Sequence, residues 1–258
     1  MAMAHQSGNS GKVLGGGFEY KIPVKNWAHG LESGGKSGVF TLDDLLPYTA
    51  ADYDALNSTV GTGVLGAVNG SPNGEVELTI PAGSSTNEDI VCLSAKRNGI
   101  GALKFVSGKQ SAGAIRFKVS NITVLRDLVV GFVDSSLTPI VASPVLAADT
   151  MAAVDFVGLR GLLSTSSLDL IYGADASAPT VHKSAAKVLV ADTYVNFSVH
   201  CDGTSVRMFI DGVKIGDKVP LGDVAATDLK PVVLLKLSAA ILSPLTVTVD
   251  SFAGANER

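Results

Sequence analysis

The chain has 258 residues, a formal net charge of −4, 46% apolar residues and only 17% charged ones. That length suits one large domain or two small ones, at roughly 100–200 residues each, and is ample for a sizeable core. A charged fraction below the usual ~25% and a positive mean hydropathy leave two classes, a membrane protein or one that covers much of its surface with partners.

The first class finds no support. A spanning helix needs ~20 nearly uninterrupted apolar residues. The stretch Leu128–Ala148 is broken by Asp134, Pro139 and Pro144, and Pro231–Val249 by Lys236 and Pro244. The first residues hold no basic segment followed by an apolar one, so the expectation is no secretory signal and a chain made and kept in a cytoplasm. Cys92 and Cys201 read as buried, reduced thiols, and no cysteine spacing matches a metal site. Basic residues scattered singly in an acidic chain speak against nucleic acid as a partner.

In chain order, residues 1–74 hold 14 of the 28 glycines and read as an extended arm. Within it, Phe18-Glu19-Tyr20-Lys21-Ile22 alternates as a strand does, and Phe18, Tyr20, Ile22, Val24 and Trp27 form an apolar strip that a pure spacer would not need. Thr41–Leu46 reads as a short capped helix stopped by Pro47, and Ala50–Leu56, capped by Thr49, as a second. From residue 75 the texture changes to short β-runs bounded by Gly, Pro, Ser and Asn. They are Glu75–Ile80, Asp89–Leu93, Ala102–Val106, Ala114–Val119, Leu125–Val133, Ala153–Leu159 and Leu168–Tyr172. Thr193–Asp217 predicts a three-stranded meander: Val195, Phe197, Val199 and Cys201 share one face, Val206, Met208 and Ile210 alternate again, and Asp202-Gly203 and Asp211-Gly212 make the turns. Asp-Gly between alternating runs suits type I′ turns, which need positive φ at both central residues. Val232–Leu237 and Leu245–Phe252 close the set, the latter with Leu245, Val247, Val249 and Ser251 on one face and Thr246, Thr248, Asp250 and Phe252 on the other. Roughly ten to twelve strands after residue 75 predict an all-β fold, a single antiparallel β-sandwich over residues 75–258.

Catalytic signatures are sparse. The acids are 18 Asp and 6 Glu, with no Glu between Glu88 and Glu257. A two-carboxylate glycosidase needs an acid and a second carboxylate at a fixed separation. Close acid spacings in the sandwich are Asp-based, such as Asp202 and Asp211, and both of those sit in Asp-Gly turns. His5, His29, His182 and His200 form no zinc pattern, and His200 and Cys201, adjacent on a strand, point to opposite faces. No nucleophile elbow, P-loop or dinucleotide fingerprint occurs. Calcium binding through loop aspartates stays open, without a DxDxDG run. The expectation is a protein that is not an enzyme and carries no cofactor or metal.

The stretch Ala191–Phe197 through Val206–Gly216 resembles the penultimate strands of a laminin-G or concanavalin-like jelly roll. More narrowly, it resembles a family of tailed-bacteriophage structural proteins in which that meander is followed by the ending seen here as Thr248-Val249-Asp250-Ser251-Phe252-Ala253-Gly254-Ala255-Asn256-Glu257-Arg258. The likeness covers residues 115–258. It implies a virion component assembled in a host cytoplasm: a head decoration, or cement, protein that binds the major capsid protein, stabilises the shell and forms a dimer or trimer. The arm residues Phe18, Tyr20, Ile22 and Trp27 would then bind the partner. Two alternatives accompany it. One is a lectin-like carbohydrate-binding module, which calls for an exposed aromatic platform, although the strand region offers only Tyr172 and Tyr194. The other is a tail or fibre component, which calls for repeats the sequence lacks.

Overall fold

The computed structural model describes residues 38–43, 53–57, 64–67, 75–82, 90–95, 102–122, 127–134, 146–147, 150–151, 155–161, 166–174, 179–224, 228–236 and 242–257. These hold the strands β1 (Gly38–Asp43), β2 (Tyr53–Asn57), β3 (Val64–Ala67), β4 (Val76–Ile80), β5 (Ile90–Ala95), β6 (Leu103–Lys104), β7 (Ser111–Val119), β8 (Asp127–Asp134), β9 (Leu146–Ala147) and β10 (Thr150–Met151). They continue with β11 (Phe156–Gly161), β12 (Ser167–Gly173), β13 (Thr180–Val188), β14 (Val195–Cys201), β15 (Ser205–Ile210), β16 (Val213–Pro220), β17 (Asp228–Lys236) and β18 (Leu245–Glu257). The 3-10 turn Leu221–Asp223 is the only helical segment among the described residues, and none of their helices is long and apolar enough to cross a membrane.

Two eight-stranded antiparallel sheets form a jelly-roll sandwich. The first runs β16-β15-β14-β7-β18-β4-β3, the second β13-β12-β11-β8-β17-β5-β2. In each, one long strand serves two partners along one edge. β18 pairs with β4 through Leu245–Val249 and with β1 through Phe252–Glu257. β17 pairs with β6 at Asp228 and Leu229 and with β5 from Val232 to Lys236. Pro231 falls in the gap between those two partners, the position in a central strand where its missing N–H is best tolerated.

The core lies between the sheets, with Phe132 of β8 facing Phe197 of β14 at a ring-centroid distance of 6.4 Å. Phe117, Phe132, Phe156, Phe197 and Phe252 are fully buried, each contributing about 2–3 kcal/mol of apolar transfer. The β8–β11 pairing is tight: Gly131 opposes Gly158, and a Cβ on Gly158 would stand 2.4 Å from the Val130 carbonyl oxygen and 2.5 Å from Cζ of Phe156. The edge strands β13 and β16 are largely exposed. Register shifts interrupt both, and lysines line them, which blunts strand addition. Lys187 Nζ reaches Asp211 Oδ2 at 2.6 Å and ties the two edges together.

The meander is observed as β14–β15–β16. Asp211 and Gly212 both have positive φ, as a type I′ turn requires. Asp202-Gly203 differs from the expected tight turn. Only Gly203 has positive φ there, and the connection is a three-residue loop organised by the Asp202 carboxylate, which accepts the N–H groups of Thr204 and Ser205 at 3.0 and 2.8 Å. Two more expectations are corrected. The helix expected over Thr41–Leu46 begins inside strand β1, and the one expected over Ala50–Leu56 overlaps strand β2; pairing to β18 and β5 overrides the local capping signals. β18 also departs from simple alternation. Val249 faces Phe117 and Ser251 faces Arg116, so Asp250 is the extra residue of a β-bulge. The phase shifts by one, and Phe252, expected on the polar face, enters the core.

Candidate functional site

Alternation on β4, β7, β14 and β18 turns Val76, Leu78, Ile115, Phe117, Val195, Phe197, Val247 and Val249 inward. Their neighbours Glu77, Thr79, Arg116, Lys118, Asn196, Thr246 and Thr248 therefore take the outer face. The register sets Asn196 beside Arg116, and Thr248 between Lys118 and Glu77. Glu75 and Tyr194, just ahead of β4 and β14, complete the patch.

The patch is knitted across four strands. Arg116 Nη1 donates to Asp250 Oδ2 at 2.5 Å, and Lys118 Nζ lies 3.5 Å from Glu75 Oε1. The Tyr194 hydroxyl donates to the same Glu75 oxygen. Both cations stand over the Tyr194 ring, Arg116 Cζ at 3.8 Å and Lys118 Nζ at 4.7 Å from its centroid. In the adjoining row the hydroxyls of Thr79 and Thr246 are 3.0 Å apart. The Asp250 side chain is 1% exposed, while Arg116, Lys118 and Glu75 are 30%, 25% and 16% exposed. Burial pushes the Asp250 carboxyl above the usual range, Glu75 adds to that, and Arg116 and Lys118 pull it back. The result is a partly exposed cluster of interleaved donors and acceptors on the outer face of the sheet.

A second polar group lies along β14 and β15. Arg207 Nη2 pairs with Asp202 Oδ2 at 2.8 Å. Burial alone would raise the Asp202 carboxyl, but bonds from the hydroxyls and N–H groups of Thr204 and Ser205 outweigh it and hold the carboxyl far below its ordinary range. Burial, helped by Arg207 and opposed by Asp202, lowers the His200 imidazole. These bonds organise the β14–β15 loop. Cys201 points into the core, on the face opposite His200, and Cys92 is likewise buried; both remain thiols. The outer side of the second sheet is different again. Val129, Val133, Phe156, Ile171, Val232, Leu234 and Cys92 are buried there, with Asp127 and Lys230 toward its opposite ends.

The arm residues expected to bind a partner, Phe18, Tyr20, Ile22 and Trp27, lie outside the described residues. Tyr194 and Tyr172, the tyrosines weighed as an aromatic platform, are both half-buried; cations cover the Tyr194 ring, and the Tyr172 ring meets His182 edge-on. Sequence patterning did not reveal that Glu75 and Asp250 come together on one face. The signal present was the strict alternation of Glu75–Ile80, which places the first two glutamates of that run on one face. Among the described residues no group of three or more His, Cys, Asp or Glu could hold a metal ion.

No protein-family model and no curated protein matches the chain. Solved structures do match. An endo-1,3-β-glucanase from Streptomyces sioyaensis aligns at 11% identity and a TM-score of 0.52, over 86% of this chain and 96% of that one. A β-1,3-1,4-glucanase (lichenase) from a mouse hindgut metagenome aligns at 12% identity and 0.50, over 83% and 98%. A carbohydrate esterase from the Shiga toxin-encoding bacteriophage phi24B aligns at 16% identity and 0.49, over 84% and 96%. The two glucanases confirm the jelly-roll fold. They also overturn the expectation that the chain is not an enzyme, since structures sharing its fold along nearly their whole length are enzymes. Of the glutamates ahead of the gap between Glu88 and Glu257, Glu77 lies in β4, and Glu75, just before it, stands beside Asp250 on the same sheet.

Proposed function

We propose that the sandwich recognises carbohydrate, and that the outer face formed by β4, β7, β14 and β18 is where it does so. The observation that carries this reading is the cross-strand cluster of Glu75, Arg116, Lys118, Tyr194 and Asp250, in which acceptors and donors alternate within one partly exposed patch. Sugar hydroxyls donate and accept at once, and they bind best where both kinds of partner are already fixed. The solved structures of the same fold support it, as their names place them on β-glucans. Stacking on an open aromatic plays no part in it, because the Tyr194 ring is covered by cations. A glycan-array screen of the full chain, followed by calorimetry on the hits, tests the reading. Saturable binding that Tyr194→Ala or Glu75→Gln weakens at least tenfold supports it; binding unaffected by both substitutions sinks it.

The second reading is a bacteriophage head decoration protein on the outer capsid surface, a dimer or trimer, with Phe18, Tyr20, Ile22 and Trp27 against the major capsid protein. It is supported by the resemblance of the meander and of the ending Thr248–Arg258, and by the apolar strip in the Gly-rich arm. Co-sedimentation with empty expanded capsids tests it. Saturable binding at a fixed ratio to the capsid protein is expected, and lost when residues 1–37 are removed. Absence of binding by the full chain counts against it.

A further inference from the structure

We infer that the glycan taken by this face is a neutral, hydroxyl-rich one and that acidic glycans are rejected. The inference rests on the carbohydrate reading above. The face carries three carboxylates, Glu75, Glu77 and Asp250, against two cations, Arg116 and Lys118. Both cations are committed. Arg116 is bound to Asp250 at 2.5 Å, and Asp250 is 1% exposed, so the pair cannot part without leaving a carboxylate buried and uncompensated. Lys118 faces Glu75 at 3.5 Å, and both cations also lie over the Tyr194 ring. A uronate or sulfate arriving here meets no uncommitted positive charge and an excess of negative charge. Its desolvation would go unrewarded and the carboxylates would repel it.

A neutral hydroxyl meets the opposite situation. The Lys118 ammonium has three N–H donors and directs one at Glu75, so it can also donate to a sugar hydroxyl. The partly exposed carboxylates, Glu75 and Glu77, are strong acceptors for sugar O–H groups. The hydroxyls of Thr79 and Thr246, paired at 3.0 Å in the next row, extend the same donor–acceptor character along the strands. A vicinal diol spanning a carboxylate and a cation satisfies both without changing the charge of the site.

The test is calorimetry on the full chain with matched hexamers, a neutral β-gluco-oligosaccharide and a uronate oligosaccharide, each in 0.05 M and 0.5 M NaCl. The expected result is binding of the neutral hexamer with less than a twofold change between the two salts, and uronate binding at least tenfold weaker. A charge-reversing variant on the rim of the face, Glu77→Lys, is expected to gain uronate binding at least tenfold, in a salt-dependent way. Preferential uronate binding by the unmodified chain overturns the inference while leaving carbohydrate recognition standing. Glu77→Lys without a gain for uronate also overturns it. Failure of both hexamers and of the glycan array removes the carbohydrate reading and this inference together.

Discussion

Asp250 shows how one residue shapes both the strand and the site. As the extra residue of the β18 bulge it lets Val249 and Phe252 both reach the core, and it places a carboxylate under Arg116. Removing the guanidinium would leave that carboxylate buried and unpaired. Arg116→Ala is therefore expected to cost about 3 kcal/mol, read by urea unfolding, whereas the double change Arg116→Met with Asp250→Leu recovers most of it. Recovery by the double variant separates an uncompensated charge from simple loss of packing. His200 gives a pH prediction. Its folded pKa is depressed below the ordinary 6.5 by burial first and then by Arg207, with Asp202 opposing. Between the folded and unfolded values the unfolded chain binds more protons, so the stabilisation is fully present above pH ~6.5 and is lost as pH falls through the folded value. His200→Gln should flatten that part of the stability–pH curve, measured by unfolding at pH 5 to 8. An unchanged slope would remove His200 from the account.

At the scale of elements, the β8–β11 pairing depends on having no side chain at Gly131 and Gly158. A Cβ on Gly131 would lie 2.4 Å from the Val157 carbonyl oxygen, a backbone atom that cannot swing away. Gly158→Ala is expected to cost about 1–3 kcal/mol, as overpacking does, and to lower the melting temperature. By contrast Ala185, with φ of 47° on exposed β13, is held where glycine is preferred, so Ala185→Gly should leave stability equal or slightly raised. The legibility of the elements follows the same physics. The β14–β16 meander could be read because alternation and the Asp211-Gly212 turn are local signals that agree. β1 and β2 could not, since their strand character comes from pairing with β18 and β5, distant in the chain, against a local capping pattern. The bulge left only a faint trace, the three-residue step from Val249 to Phe252 where steps of two had prevailed. The site left less still: Arg116 and Asp250 are 134 residues apart in sequence, and Tyr194 and Glu75 119. No window along the chain brings them together; the strand order β14-β7-β18-β4 does.

For the whole molecule, the two sheets divide the work. The outer side of the second sheet is apolar and buried, while that of the first carries the polar cluster. A low charged fraction is thus compatible with one concentrated polar face, and the net charge of −4 agrees with a face that repels anions. Glycan binding at this cluster is open to direct observation. Amide chemical-shift mapping of the full chain during titration with a neutral β-gluco-oligosaccharide tests it most directly. Saturable shifts are expected at Glu75–Thr79, Arg116–Lys118, Tyr194–Ser198 and Thr248–Ser251. Shifts confined to β8, β11 and β17, or no shifts at all, would contradict it.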